Sequence, residues 1–186
     1  SSWKDDQVLV VYLPECHESI AGIIAGRIKE RYYRPTFVLT KGEKGVKGSG
    51  RSIEAYDMFA EMSRCRELFT KFGGHKLAAG LSMREEDIEP LRTALNEKCT
   101  LMEDDFIPRV HIDVAMPMGY ADDALAGELA LLEPFGTGNP KPLFAQKDLI
   151  FQAGFKMGAN KTCARFRVKT PEGNTQTLVF FGDLER

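Results

Sequence analysis

The sequence predicts two domains of different texture: an α/β (α+β) domain with a mixed sheet flanked by helices, then a small β-barrel. Three observations carry this reading. Continuous apolar runs alternate with helical periodicity over residues 7–99. An acidic, proline-containing stretch, Met102-Glu103-Asp104-Asp105-Phe106-Ile107-Pro108, interrupts that order. Short alternating segments dominate after it. A chain of 186 residues can bury two small cores, and the boundary falls in the acidic stretch, giving domains of 1–103 and 104–186.

In the first domain, residues 7–13 are a continuous apolar run, the pattern of a buried strand, ended by Pro14. Over residues 18–33, Ile20, Ile23, Ile24, Ala25 and Ile28 recur at helical spacing, with Arg27, Lys29, Glu30 and Arg31 near the solvent-facing end. Arg34-Pro35 stops this helix, because the residue before a proline is driven out of the α region. Residues 36–40 are a second strand, and strand–helix–strand implies parallel pairing. Residues 41–50 hold four glycines and three lysines and predict a loop or loose hairpin. Ser52 is expected to cap a helix carrying Ile53, Met58, Met62, Cys65, Leu68 and Phe69, with Gly73-Gly74 ending it. Residues 77–83 suit a strand, and 85–99 a helix with Ile88, Leu91, Leu95 and Cys99 on one stripe. Glu85, Glu86 and Asp87 occupy its first turn, where the macrodipole favours anions, so they read as helix-start chemistry rather than a metal cluster.

In the second domain, residues 109–115 alternate as a strand with His111 inside it, and 124–132 form one helix. Residues 143–145, 149–157, 163–170 and 176–181 read as strands, with a turn at Pro171-Glu172-Gly173-Asn174. Several short strands and one helix point to an OB-like barrel, expected to be truncated at its C-terminus.

Composition excludes several classes. Forty-three per cent hydrophobic and 28 per cent charged residues are ordinary for a globular domain. The apolar runs are far shorter than the roughly 20 residues of a spanning helix, so no membrane partner is expected. The first residues lack the charged and apolar regions of a signal peptide. Cys16, Cys65, Cys99 and Cys163 are widely spaced and show no zinc-ligand pattern, which suits reduced thiols in a cytoplasmic protein. A net charge of −2 argues against binding nucleic acid by bulk electrostatics. Local strips differ: Lys156, Lys161, Arg165, Arg167 and Lys169 come with no acid between 154 and 169, and Lys41, Lys44, Lys47 and Arg51 surround the glycine-rich segment.

The sharpest local signal is Phe72-Gly73-Gly74-His75-Lys76-Leu77-Ala78-Ala79-Gly80. Adjacent glycines let backbone N–H groups face outward, and an imidazole beside them adds a directed donor, a sensible way to hold phosphate oxygens. The same residues would also make a helix C-cap and turn, and the residues alone leave both open. His17 begins a helix, where its ring could reach a phosphate or cap the N-terminus. Phe151, Phe155, Phe166, Phe180 and Phe181 interleave with the second basic strip and could stack bases or fill a core. Alternation in Arg165-Phe166-Arg167-Val168-Lys169 puts three cations on one face. Gly136-Thr137-Gly138-Asn139, between prolines, suits a sharp structural connection.

The Gly-Gly-His segment resembles that of the DHH-associated domain of the DHH phosphoesterase superfamily, and three further segments narrow the resemblance to RecJ-type exonucleases. These are Cys16-His17-Glu18-Ser19-Ile20-Ala21-Gly22-Ile23-Ile24-Ala25-Gly26-Arg27-Ile28 with Arg34-Pro35, then Gly48-Ser49-Gly50-Arg51-Ser52-Ile53, then Leu132-Glu133-Pro134-Phe135-Gly136-Thr137-Gly138-Asn139-Pro140-Lys141-Pro142-Leu143-Phe144. Cys16 stands where that family usually has tryptophan, and Ala21 where it has glycine. The resemblance implies that Ser49, Arg51 and Ser52 hold DNA phosphates and that Gly73, Gly74 and His75 grip substrate near the scissile phosphate, His75 not as a metal ligand. By their own position and charge, His17 and the OB-region strip of Lys156, Lys161, Arg165, Arg167 and Lys169 join the nucleic-acid-binding set. The resemblance further implies a parent 5′-to-3′ exonuclease on single-stranded DNA that uses Mn²⁺ or Mg²⁺. No Asp-His-His occurs here, so no metal site is expected in this chain; its partners would be single-stranded DNA and an N-terminal DHH domain. The alternatives are a fragment of an oligoribonuclease or cyclic-dinucleotide phosphodiesterase, or a stand-alone binding module.

Overall fold

The computed structural model describes residues 5–136, 138–158 and 162–182. It divides into two compact units, Ser1–Arg109 and Val110–Arg186.

The first unit is a five-stranded mixed sheet. Strand β1 (Leu9–Tyr12) leads through helix α1 (Glu18–Tyr32) to β2 (Thr36–Gly42), and the two strands pair in parallel. Strand β3 (Gly45–Arg51) returns antiparallel to β2. The glycine-rich segment, expected to be a loop or loose hairpin, is a regular hairpin that turns at residues 43–44, and its second arm is the middle strand of the sheet, whose order is β1-β2-β3-β5-β4 with β4 at Lys71–His75 and β5 at Ala78–Met83. Its glycines answer to packing. A Cβ on Gly48 would stand 2.5 Å from Leu39 Cδ2, and one on Gly50 would stand 2.4 Å from Met58 Sδ. Small residues on β3 make room for large ones on its neighbours.

The segment after β3 also departs from expectation. Ser52 is buried and its hydroxyl donates to the Tyr56 carbonyl at 2.8 Å, so it caps nothing. The cap is Asp57, whose carboxylate accepts from the Ala60 N–H at 2.9 Å and starts the short helix α2 (Met58–Ser63). A single 3-10 turn, Arg66–Leu68, follows. Gly73-Gly74 do not end a helix. They lie inside β4 (Lys71–His75), which forms a hairpin with β5 (Ala78–Met83). Phe72 holds β4 down, its ring 5.1 Å from that of Phe69 and 5.8 Å from that of Phe59. A 3-10 turn, Glu85–Asp87, introduces α3 (Ile88–Glu97), which buries Ile88, Leu91 and Leu95. Arg84 pairs with Asp87 at 2.8 Å and with Glu86 at 2.9 Å, so the acidic turn finds its counter-charge locally. The Asn96 amide then ties α3 to the sheet, accepting from the N–H groups of Gln7 and Val8 and donating to the Val8 carbonyl.

The main core lies on one face of this sheet, where Phe37, Leu39, Met58, Met62, Leu81, Leu91 and Leu95 pack together. On the other face α1 packs on β2 and β3. It does so through Ala21 and Ala25 against Val38, with the expected Ile24 and Ile28 packed beside them, while Ile20 and Ile23, also expected on this stripe, stay exposed. The part of that face on β5 and β4 is left open.

In the second unit, β8 (Ile150–Met157), β9 (Cys163–Lys169) and β10 (Thr175–Phe181) form an antiparallel sheet in the order β10-β9-β8. Helix α4 (Asp123–Ala130) begins at Asp122, whose carboxylate accepts from the Leu125 N–H at 2.9 Å. The strand expected at 109–115 shortens to β6 (Val114–Ala115), parallel to β7 (Phe144–Ala145), and His111 lies outside it, exposed, 3.9 Å from Asp113. Asn139 fixes the Gly-Thr-Gly-Asn connection by donating to the carbonyls of Leu132 and Pro134; Thr137 lies outside the described residues.

Candidate nucleic-acid interface

Paired residues of an antiparallel sheet project to the same face, and alternate residues along a strand do likewise. Arg51 pairs with Ala78 across β3 and β5, and Ala78 pairs with His75 across β5 and β4. Arg51 and His75 therefore stand on one face, one strand apart, separated only by the methyl of Ala78. Ser49, Gly80 and Gly73 make the next row, paired in the same way. This is the face whose outer half α1 leaves open: Gly73, Gly80 and His75 are exposed, and nothing lies within 4 Å of where a Cβ on either glycine would be.

Each polar group in these rows is oriented. The His75 Nδ1 accepts from the Leu77 N–H at 3.3 Å, which in a neutral imidazole puts the proton on Nε2 and makes that nitrogen the donor. Arg51 donates to its neighbour Gly50 carbonyl at 2.8 Å through Nη1. Its Nη2 lies where a side chain on Gly22 would be, 2.7 Å from that position, and Ser49 Oγ lies 3.2 Å from it. Gly22 on α1 thus makes the space in which Ser49 and Arg51 extend. Gly74 turns β4 at φ +153, with a hypothetical Cβ 2.3 Å from the Ala78 carbonyl oxygen, so a side chain there would break the hairpin.

The structure sorts the other expected site residues. His17 is the N-cap of α1: its Nδ1 accepts from the Ser19 N–H at 3.3 Å and lies 2.8 Å from Ser19 Oγ. Because Glu18 pairs with Lys47 while Gly22 lies over Ser49 and Arg51, α1 starts at the Lys47 end of β3. His17 and His75 consequently belong to opposite ends of the face. Ser52 does not join the surface, because its hydroxyl is buried and spent on Tyr56. In the second unit Arg165, Arg167 and Lys169 share a face and are exposed, flanked in register by Phe155, Ala153 and Ile150 on β8. Lys156 pairs with Ala164, which puts it on the opposite face. Lys161 lies outside the described residues. Two contributors went unread in the sequence: Gly22, and Lys71, which alternation along β4 sets on the face of Gly73 and His75. Reading the double glycine as a strand would have found the second.

The electrostatics of the rim follow from one ion pair. Lys47 and Glu18 meet at 2.5 Å, and this hydrogen bond holds the Glu18 carboxyl below the usual carboxylate range and the Lys47 ammonium above its own. Among the described residues, no group of three or more His, Cys, Asp or Glu side chains is placed to hold a metal ion.

Comparison with known proteins divides the chain in the same order as its texture. Residues 5–101 match the DHHA1 domain family and residues 112–186 the RecJ OB domain family. The single-stranded-DNA-specific exonuclease RecJ of Bacillus subtilis is 35% identical over 180 residues, covering 95% of this chain and 23% of that protein. Its counterpart in Escherichia coli is 34% identical over 143 residues, covering 73% of this chain and 25% of the relative. The crystal structure of RecJ in complex with Mg²⁺ from Thermus thermophilus superimposes with a TM-score of 0.74 at 30% identity, over 96% of this chain and 27% of that one. A second structure of that protein, with Mn²⁺, gives 0.73 at 28%. This chain spans about a quarter of the length of the relatives it matches. It belongs to the DHHA1 domain family, followed by a RecJ OB domain, and is homologous to the RecJ exonucleases over nearly all its length.

Proposed function

We propose that this chain is the substrate-gripping C-terminal part of a RecJ-like 5′-to-3′ single-stranded DNA exonuclease and that hydrolysis is carried by a DHH domain elsewhere in the parent. One observation carries the reading: Arg51 and His75 flank Ala78 in a single row on an open sheet face. A guanidinium offers a planar fork to phosphate oxygens, the Ser49 hydroxyl adds a neutral donor, and the His75 Nε2–H adds a directed one. The bare glycines beside Ser49 in the next row, Gly80 and Gly73, let a sugar–phosphate backbone approach the sheet closely. On the second unit, exposed Phe155 beside Arg165 suits stacking of a base with a cation following the backbone. The RecJ structures bearing Mg²⁺ and Mn²⁺ support a divalent ion in the parent, where it would polarise the phosphoryl group and activate water. The match of the second unit to the RecJ OB family favours this parent over an oligoribonuclease or a cyclic-dinucleotide phosphodiesterase. A cytoplasmic location, as the free thiols suggest, belongs to the same proposal.

The test is anisotropy titration of labelled single strands at several salt concentrations. Affinity should fall steeply with salt, and Arg51→Ala should weaken binding alike for all sequences. Equal affinity for duplex and single strand would overturn the reading. The chain by itself should not hydrolyse DNA in Mn²⁺; turnover that disappears in His75→Ala would refute that part.

A further inference from the structure

We infer that the phosphate track does not stop at the Gly-Gly-His corner but continues along β3 and β4 to a second cationic row, Lys47 and Lys71 with Ser82 between them, which takes a further phosphate of the same extended strand. This rests on the function proposed above and adds to it a site and a direction of travel.

Lys47 pairs with Ser82 across β3 and β5, and Ser82 pairs with Lys71 across β5 and β4. Lys47 is four positions from Arg51 and Lys71 four from His75, so even spacing keeps both lysines on the face of the first row. At about 3.4 Å per strand residue the two cationic rows lie roughly 14 Å apart, enough for more than one backbone unit of an extended single strand. The row between them, Ser49, Gly80 and Gly73, is the one whose glycines have nothing within 4 Å of a would-be Cβ. Two depressions mark this end: Lys47, Lys71 and Ser82 line one, and Lys47, Gly80 and Glu18 line its neighbour. Phe72 packs on the opposite face against Phe69 and Phe59, which keeps Lys71 on the open side.

The acids nearby set the hierarchy of the two lysines. Glu18 holds Lys47, and Glu43 lies in the adjoining turn beside the first depression. Lys71 is exposed and, among the described residues, forms no salt bridge, so it is the principal contact. Phosphate reaching Lys47 competes with the Glu18 carboxylate.

Binding of a thymidine dinucleotide and a decanucleotide to the full 186-residue chain separates the alternatives, read by chemical-shift titration and anisotropy, with circular dichroism checking the fold of each variant. Arg51→Ala should weaken both ligands. Lys71→Ala should leave the dinucleotide unchanged, weaken the decanucleotide roughly fivefold at low salt, and lower the slope of log affinity against log salt by about 0.7. Glu18→Gln should free Lys47 and strengthen the decanucleotide alone. If Lys71→Ala leaves the decanucleotide unaffected, or weakens both ligands equally, the second row is not a phosphate site. If Arg51→Ala changes neither ligand, the grip proposed for the whole face fails, whatever Lys71 does.

Discussion

In the first unit a five-stranded sheet carries α2 and α3 on one face and α1 over half of the other, while in the second a three-stranded sheet leaves much of both faces in solvent. Phe37, Leu39, Met58, Met62, Leu91 and Leu95 are all fully or almost fully buried in the first. Among the described residues of the second, only Ala164 and Val168 are buried apolar side chains, while Phe151 and Phe155 are each 62% exposed and Phe181 79%. The difference teaches where each proposed binding surface would get its rigidity. The first can hold Arg51 and His75 in a defined row because the opposite face of the same strands is a packed core. The second offers aromatic and cationic side chains on a lightly supported sheet, which suits the proposed stacking on bases of any sequence.

The largest effect that would test this contrast is on stability. Leu91→Ala should destabilise the first unit by about 3 kcal/mol, whereas Val168→Ala in the second should cost about 1 kcal/mol, each read from its own denaturation transition. Equal costs would mean that the second unit has a core comparable to the first. Smaller is the effect of Phe155→Ala, which should weaken single-strand binding by about 1–2 kcal/mol while leaving the unfolding midpoint in place. A lower midpoint without loss of affinity would make Phe155 a packing residue. Smallest is a pH effect at the rim of the first unit. Because its partner Lys47 lowers the Glu18 pKa in the folded chain, the stabilisation is complete above the ordinary carboxylate pKa and disappears as pH falls through the lowered value. Carboxyl titration by NMR should show Glu18 protonating below the ordinary glutamate range, and this depression should disappear in Lys47→Ala.

Much of the first unit is legible from sequence because its signals are local. The run at 7–13, the helix at 18–33 stopped by Arg34-Pro35, the parallel partner at 36–40 and the stripe of Ile88, Leu91 and Leu95 all follow from periodicity and proline stereochemistry. The strands β3 and β4 were not legible as strands, and β3 shows why most clearly. Glycine is a loop signal when only neighbours in sequence are considered, but Gly48 and Gly50 answer to Leu39 and Met58 on other elements. Ser52 illustrates the same limit: a serine ahead of an apolar stretch looks like a cap, and only the fold shows that the Tyr56 carbonyl takes its hydroxyl while Asp57 starts the helix. Lys156 belongs to the basic strip by position, yet pairing with Ala164 turns it to the other face of the second sheet.

The sequence by itself determined the strand–helix–strand start, the helix carrying Ile88, Leu91 and Leu95, the change of texture after Pro108 and the residue types able to hold a phosphate, since all are written in short-range pattern and side-chain chemistry. Only the tertiary structure decided that Arg51 and His75 share a row, that His17 stands at the other end of the face from His75, and that Lys71 joins the same face. Strand register couples residues far apart in the chain, and a shift of one position would turn every side chain of a strand to the opposite face.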